Sequence, residues 1–157
     1  MAKFDIETLV TNLEAEMKIQ LAARITAINT EKGDSLLDQI SSEAWFAESL
    51  DDKAANFKTF VFWFTDSLET RVAGNQFSHD LTLEFDILLV DRQDRQVQKR
   101  IYRYRRALAE AIASAWQKVG MGYGYPEIQS LNPVDVRLNN SSTMHKLFGV
   151  SASFSIG

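Results

Sequence analysis

Residues 57–65 read FKTFVFWFT, and in an extended backbone Phe60, Phe62 and Phe64 fall on one face while Val61 and Trp63 fall on the other. Both faces are then apolar. Such a strand requires cover on two sides, or a neighbouring chain to finish it, because left bare it invites aggregation. The chain is thereby confined to folds in which a sheet lies between layers or is completed by assembly.

A second strand follows in HDLTLEFDILLV, residues 79–90, where Leu81, Leu83, Phe85, Ile87 and Leu89 alternate with Asp80, Thr82, Glu84 and Asp86. One face reads as core and the other as an acidic, solvated surface. Gly74 and Asn75 mark the turn between the two strands, so the pattern predicts an antiparallel hairpin with a longish loop. Two more strands close the chain, PVDVRL through Val134, Val136 and Leu138, and GVSASFSIG through Val150, Ala152, Phe154 and Ile156.

Helices are marked by the other period. From Asp5, a candidate N-cap, Ile6, Leu9, Val10, Leu13, Met17, Leu21, Ile25 and Ile28 recur at three and four residue steps until Gly33. A rod of roughly 35 to 40 Å follows at 1.5 Å per residue. A second helix is predicted over 94–118, with Val97, Ile101, Tyr104, Leu108, Ile112, Ala115 and Val119 on its apolar side. Residues 34–56 carry no clean period and read as a short helix or ordered loop. GMGYGYP, residues 120–126, ends the second helix and lacks the GK[ST] ending of a phosphate loop. The expectation is one α+β domain over residues 1–157, in the order α-β-β-α-β-β, with two long helices on a four-stranded, mostly antiparallel sheet.

The stretch KRIYRYRRALAEAIASAW, residues 99–116, interleaves cations with aromatics as a nucleic-acid groove does. On the helix, however, Arg92, Arg95, Lys99, Arg103 and Arg106 form the stripe opposite the apolar side, which is what a solvated face looks like. Arg105 lies about 40° from the middle of the apolar face at 100° per residue, and needs a carboxylate or backbone partner. Tyr102 and Trp116 flank that face as core edge. The net charge of −4 over 157 residues gives no general attraction to polyanions. The preferred reading of the stripe is a contact with acids on another copy of the chain, and the alternative is a nucleic-acid-binding domain using the basic helix 92–106.

Chemistry is sparsely marked. There is no cysteine, and His79 and His145, the two histidines, stand in no metal-ligand or catalytic spacing. Asp80, Glu84 and Asp86 share a strand face without a second acidic motif to converge on them. The expectations are no enzyme, no cofactor and no metal. No leader and no membrane-spanning run is apparent, so a soluble protein kept in the cytosol, or assembled there into something larger, is expected.

The long first helix, the HDLTLEFDILLV strand, the YRYRRALAEAI helix start and the terminal GVSASFSI strand together resemble the small tail-terminator and tail-completion proteins of long-tailed bacteriophages. The resemblance implies a structural virion protein, a homo-oligomeric hexameric ring at the tail–neck junction. Such a ring caps the tail tube, ends its polymerisation and meets a neck or head-completion protein. Sheath protein is a further partner, and DNA only passes through the bore. Another head–tail connector of the neck is the neighbouring alternative. Under this reading Arg92, Arg95, Lys99, Arg103 and Arg106, with Trp63 and Phe64, make subunit or partner contacts. Asp80, Glu84 and Asp86 would line the bore, repelling DNA in transit.

Overall fold

The computed structural model describes residues 5–50, 52–90, 95–119, 125–138 and 143–156. The first helix, α1 (Ile6–Lys32), begins where the sequence places it because its cap is local: the Asp5 carboxylate accepts from the Glu7 N–H at 3.1 Å and from the Thr8 hydroxyl at 2.6 Å. It ends equally locally. Gly33 takes φ of +68°, and the Gly33 and Asp34 N–H groups bond back to the Thr30 and Asn29 carbonyls in a Schellman closure.

The sheet corrects the expected architecture. It has five strands in the order β1-β2-β3-β5-β4, made of β1 (Trp45–Ala47), β2 (Thr59–Ala73), β3 (Gln76–Val90), β4 (Glu127–Arg137) and β5 (Met144–Ile156). The added strand, β1, runs parallel to β2, with Trp45, Phe46 and Ala47 opposite Val61, Phe62 and Trp63, so the sheet is mixed. The four-stranded, α-β-β-α-β-β reading is therefore overturned. Three residues are too few to show a strand's alternation, which is why residues 34–56 resisted reading. Their order comes from distant side chains. Asn29 clamps Leu37 with two hydrogen bonds, and the Tyr104 hydroxyl donates to the Asp38 carbonyl and accepts the Asp38 N–H, both at 2.9 Å. Burial and the nearby Asp38 carboxylate push the Tyr104 phenol up to about 12, so it keeps its proton throughout the physiological range. Tyr104→Phe removes both bonds and leaves two Asp38 backbone groups to solvent; a loss of about 1–2 kcal/mol in urea unfolding is expected.

β2 and β3 are also longer than the sequence pattern predicts. They pair continuously from Thr59↔Leu89 to Ala73↔Gln76, with one bulge between Thr65 and Ser67, and the turn is only Gly74 and Asn75. Gly74 has φ of +62°, the conformation a two-residue hairpin turn with glycine first requires. β5 pairs β3 only as far as His79↔Ile156, so beyond that point the hairpin projects as a two-stranded ribbon.

α2 (Val97–Val119) packs beside α1, and both helices share one core with one face of the sheet. Trp116 lies on Phe154 with ring centroids 4.5 Å apart, and Tyr104 lies against Phe148. On the other face Phe60, Leu88, Ala44 and Ala54 form a smaller core, closed by Phe46 and Phe57 from the segment around β1. The aromatic strand thus finds its two covers within the chain, helices on the Val61 and Trp63 side and the β1 segment on the Phe60 side.

Candidate functional site

The residues marked by the sequence divide into three places. The first is the basic stripe of α2. Arg92 lies outside the described residues. Arg103 is engaged within the chain: its Nη1 reaches both Asp34 carboxylate oxygens, at 2.8 and 3.0 Å, and holds that carboxyl below its usual range. Arg106 sits between Glu31 at 2.8 Å and Glu110 at 2.9 Å, which raises its own affinity for its proton. The expectation that these two arginines await acids on a neighbour is corrected, because the C-terminal end of α1 and the next turn of α2 already supply them. Arg105 donates to the Leu131 carbonyl at 3.0 Å, a backbone partner on β4.

Arg95, Lys99 and Tyr102 remain on the outer face of α2. Arg95 and Lys99 make no ion pair among the described residues. Tyr102 is 59% exposed, so it is not the core edge the sequence suggested; Trp116 is. Beside them, Asp34, Ser35, Leu36, Gln96, Lys99, Arg100 and Arg103 line an open cleft of about 300 Å³.

The second place is the sheet face away from the helices, where Asp80, Glu84 and Asp86 lie. Asp86 corrects the expectation of a solvated acidic row. It is only 2% exposed, and its Oδ1 has no hydrogen-bond partner among the described residues. The reason is its register: Asp86 stands between Phe62 on β2 and Gly149 on β5. With no side chain on Gly149, the carboxyl settles over that backbone, its Oδ1 2.5 Å from where a Cβ on residue 149 would stand. Burial first, then the adjoining Glu84 carboxyl, push Asp86 up to about 8. Asp86 therefore keeps its proton at neutral pH. Asp80 stays on the surface, paired with Arg71 at 3.3 Å and accepting from Ser155.

Trp63 is also corrected, and His145 is placed. His145 is buried with its ring edge on Phe60, and that burial lowers its affinity for a proton against an opposing Thr143 backbone bond. Trp63 stacks on Phe85 in the helix-side core, so it is no surface anchor, while Phe64 lies half-exposed on the other face beside Phe62. Among the described residues, no group of three or more His, Cys, Asp or Glu side chains is placed to hold a metal ion. No described helix is long and apolar enough to cross a membrane.

The third place was not marked by the sequence at all. On the projecting ribbon Val72 and Phe77 are both 60% exposed, and Leu68, just short of it on β2, is 44% exposed. Register puts all three, with Thr70 and His79, on one face: Leu68 opposes Leu81, and Val72 opposes Phe77. Thr70 and His79 satisfy each other at 2.9 Å. This face carries no aspartate, glutamate, lysine or arginine. The alternation Leu68, Thr70, Val72, where the pattern predicts a longish loop, is the signal for it. The outer face of α1 is similarly uncharged, through Ala15, Ile19, Ala22, Ala23 and Ala27, and is less two-sided than its periodicity implies.

Comparison with known proteins gave no match, either to a family model or to a characterised sequence.

Proposed function

We propose that this chain is a structural subunit that assembles with copies of itself into a ring closing the end of a phage tail tube and joining it to the neck. One observation carries the reading: a β-hairpin whose tip extends past its own sheet, holding Val72 and Phe77 against solvent with Leu68 exposed on the same face. Isolated two-stranded ribbons are marginal in water, and an uncharged apolar face on one is a docking surface in want of a partner. The fold supports the reading in a second way. Its aromatic strand is covered internally, so that strand leaves little apolar area to solvent, and Leu68, Val72 and Phe77 make the largest exposed apolar group on one face, with Ile19, Leu50, Tyr102, Tyr125 and Val134 exposed elsewhere.

The nucleic-acid alternative loses support in the same geometry, since Arg103 and Arg106 face carboxylates of their own chain. In a ring, Asp80 and Glu84 are the acids left to face a bore, with Asp86 withdrawn into the sheet. Solution mass measurement with particle imaging, on the protein alone and with tail tubes, is the test. Rings of constant subunit number at tube ends are expected, together with no salt-dependent binding of duplex DNA. A protein that remains monomeric and leaves tube ends bare refutes the reading.

A further inference from the structure

His145 is a buried titratable group to which the assembly reading gives no task. It is 2% exposed, and neither Nδ1 nor Nε2 has a hydrogen-bond partner among the described residues. The Thr143 backbone comes close enough to favour the ring's proton without meeting either nitrogen in full hydrogen-bond geometry. A neutral imidazole tolerates such a site at the cost of its lost hydrogen bonds. An imidazolium does not, because an unpaired buried charge costs far more than an unpaired polar atom.

The cover over this ring is thin. His145 lies at the margin of the smaller core, between Val90 on β3 and Val136 on β4, with the Phe60 ring centroid 5.9 Å away. Over that core lies a single 3-10 turn, Asp52–Asn56, followed by Phe57, and it packs Ala54 and Phe57 onto the sheet. The turn closes through the Phe57 N–H and the Ala54 carbonyl at 3.1 Å. Its flanks are tied down: before it the Glu48 N–H donates to the Trp63 carbonyl, and after it the Lys58 carbonyl accepts from the Val90 N–H. A segment held this way can lift between two fixed points. Beside the ring, an open cleft of about 170 Å³ is lined by Asn56, Phe57, Lys58, Val90 and Thr143. Among the described residues Lys58 is the other titratable side chain of that lining, so no carboxylate there neutralises an imidazolium and one cation opposes it. The strands bring Phe60, Val90 and Val136 against the ring, Lys53 is exposed on the turn, and Asp86 lies beyond Leu88 on β3.

We infer that the Asp52–Asn56 turn is a proton-operated flap: when His145 takes up a proton the turn lifts from the sheet, the imidazolium reaches water, and Phe60 and Leu88 are bared. The sign follows from linkage. With the flap open the ring binds its proton as a free imidazole does, near pH 6.5, whereas burial lowers that affinity when the flap is closed. Closure is therefore fully stabilised above about pH 6.5 and is lost as pH falls below it. The release is local. Ala54 and Phe57 leave the sheet while the helix-side core stays packed, so melting of the whole chain is nearly unaffected. The flap operates whether or not copies of the chain form a ring.

Amide hydrogen exchange, corrected for its intrinsic dependence on pH, reads the flap at residues 54–57. In the wild type, opening there is expected to rise by about 10-fold between about pH 7.5 and 5.5, with the amides of residues 81–87 in β3 unchanged. His145→Phe keeps an apolar ring at the margin and takes up no proton, so it should abolish the rise. Lys58→Glu, a change at an exposed position, sets a carboxylate beside the ring and should suppress the rise by pairing the imidazolium while the flap is closed. Circular dichroism checks that both variants fold. A rise that persists in His145→Phe belongs to other groups and overturns the inference. So does a wild-type imidazole that titrates at or above about 6.5 by nitrogen-15 spectroscopy, or exchange at 54–57 that ignores pH. Should His145→Phe misfold, an undiminished rise in Lys58→Glu overturns it equally.

Discussion

Gly149→Ala is expected to destabilise the chain by about 3 kcal/mol or more, lowering its melting temperature by about 6–12 °C. A Cβ at residue 149 would collide with the Phe85 carbonyl oxygen, and would stand 2.8 Å from the Asp86 Cα and 2.5 Å from its Oδ1. Two of these atoms are backbone of β3, the strand to which β5 is paired, so no rotamer change relieves them. The strands must separate, and the separation opens the core where Phe85, Ile87, Phe148 and Val150 interlock. Thermal unfolding of the single variant measures the loss. Adding Asp86→Ala to it removes only the side-chain part of the collision, so the double variant should recover little. Unfolding unchanged within 0.5 kcal/mol, an error margin on the order of that seen for neutral surface changes, would contradict this packing.

Asp86→Asn is the second large expectation, and its sign depends on pH. The folded chain binds the Asp86 proton more tightly than the unfolded chain does, because burial and Glu84 oppose the charge. A carboxyl raised in the folded state stabilises it most at low pH and least once it must ionise. Stability therefore falls as pH rises from about 4, where the unfolded carboxyl titrates, to about 8, where the folded one does. Discounted for solvent screening of the pair, the wild type should lose on the order of 2 kcal/mol across that window. Asn carries no proton to lose, so the variant should show a nearly flat profile there and exceed the wild type in melting temperature above pH 8. A wild-type profile already flat between pH 5 and 8 would show that the carboxyl is hydrated instead of buried.

Both expectations concern one backbone crossing that was half visible in the sequence. Glycine within a strand marks a close approach of backbone, and the unbroken apolar run Ile87 to Val90 after Asp86 marks a strand covered on both faces. Taken together they place an acid under cover. Read separately, each had a blander meaning: Gly149 as the start of a strand and Asp86 as one more acid on a wet face. Trp63 and Phe64 show the converse. Their opposite faces were legible from alternation, but which face the helices would take was not, so Trp63 was assigned to a surface it does not reach.

The amino-acid sequence by itself determined whatever depends on neighbours within a few positions. Asp5 and Gly33 bound α1 through hydrogen bonds spanning two to five residues, the 3.6 period oriented α2, and the alternation of residues 80–87 marked the middle of β3. Tertiary structure alone decided the rest. It pairs Trp45–Ala47 with residues 61–63, brings Asp34 to Arg103 and Glu31 to Arg106, presses Asp86 over Gly149, and leaves Val72 and Phe77 beyond the end of β5. These contacts span 16 to about 75 residues of sequence. At such separations no local period carries information, because which surfaces meet is set by how two distant elements share one core.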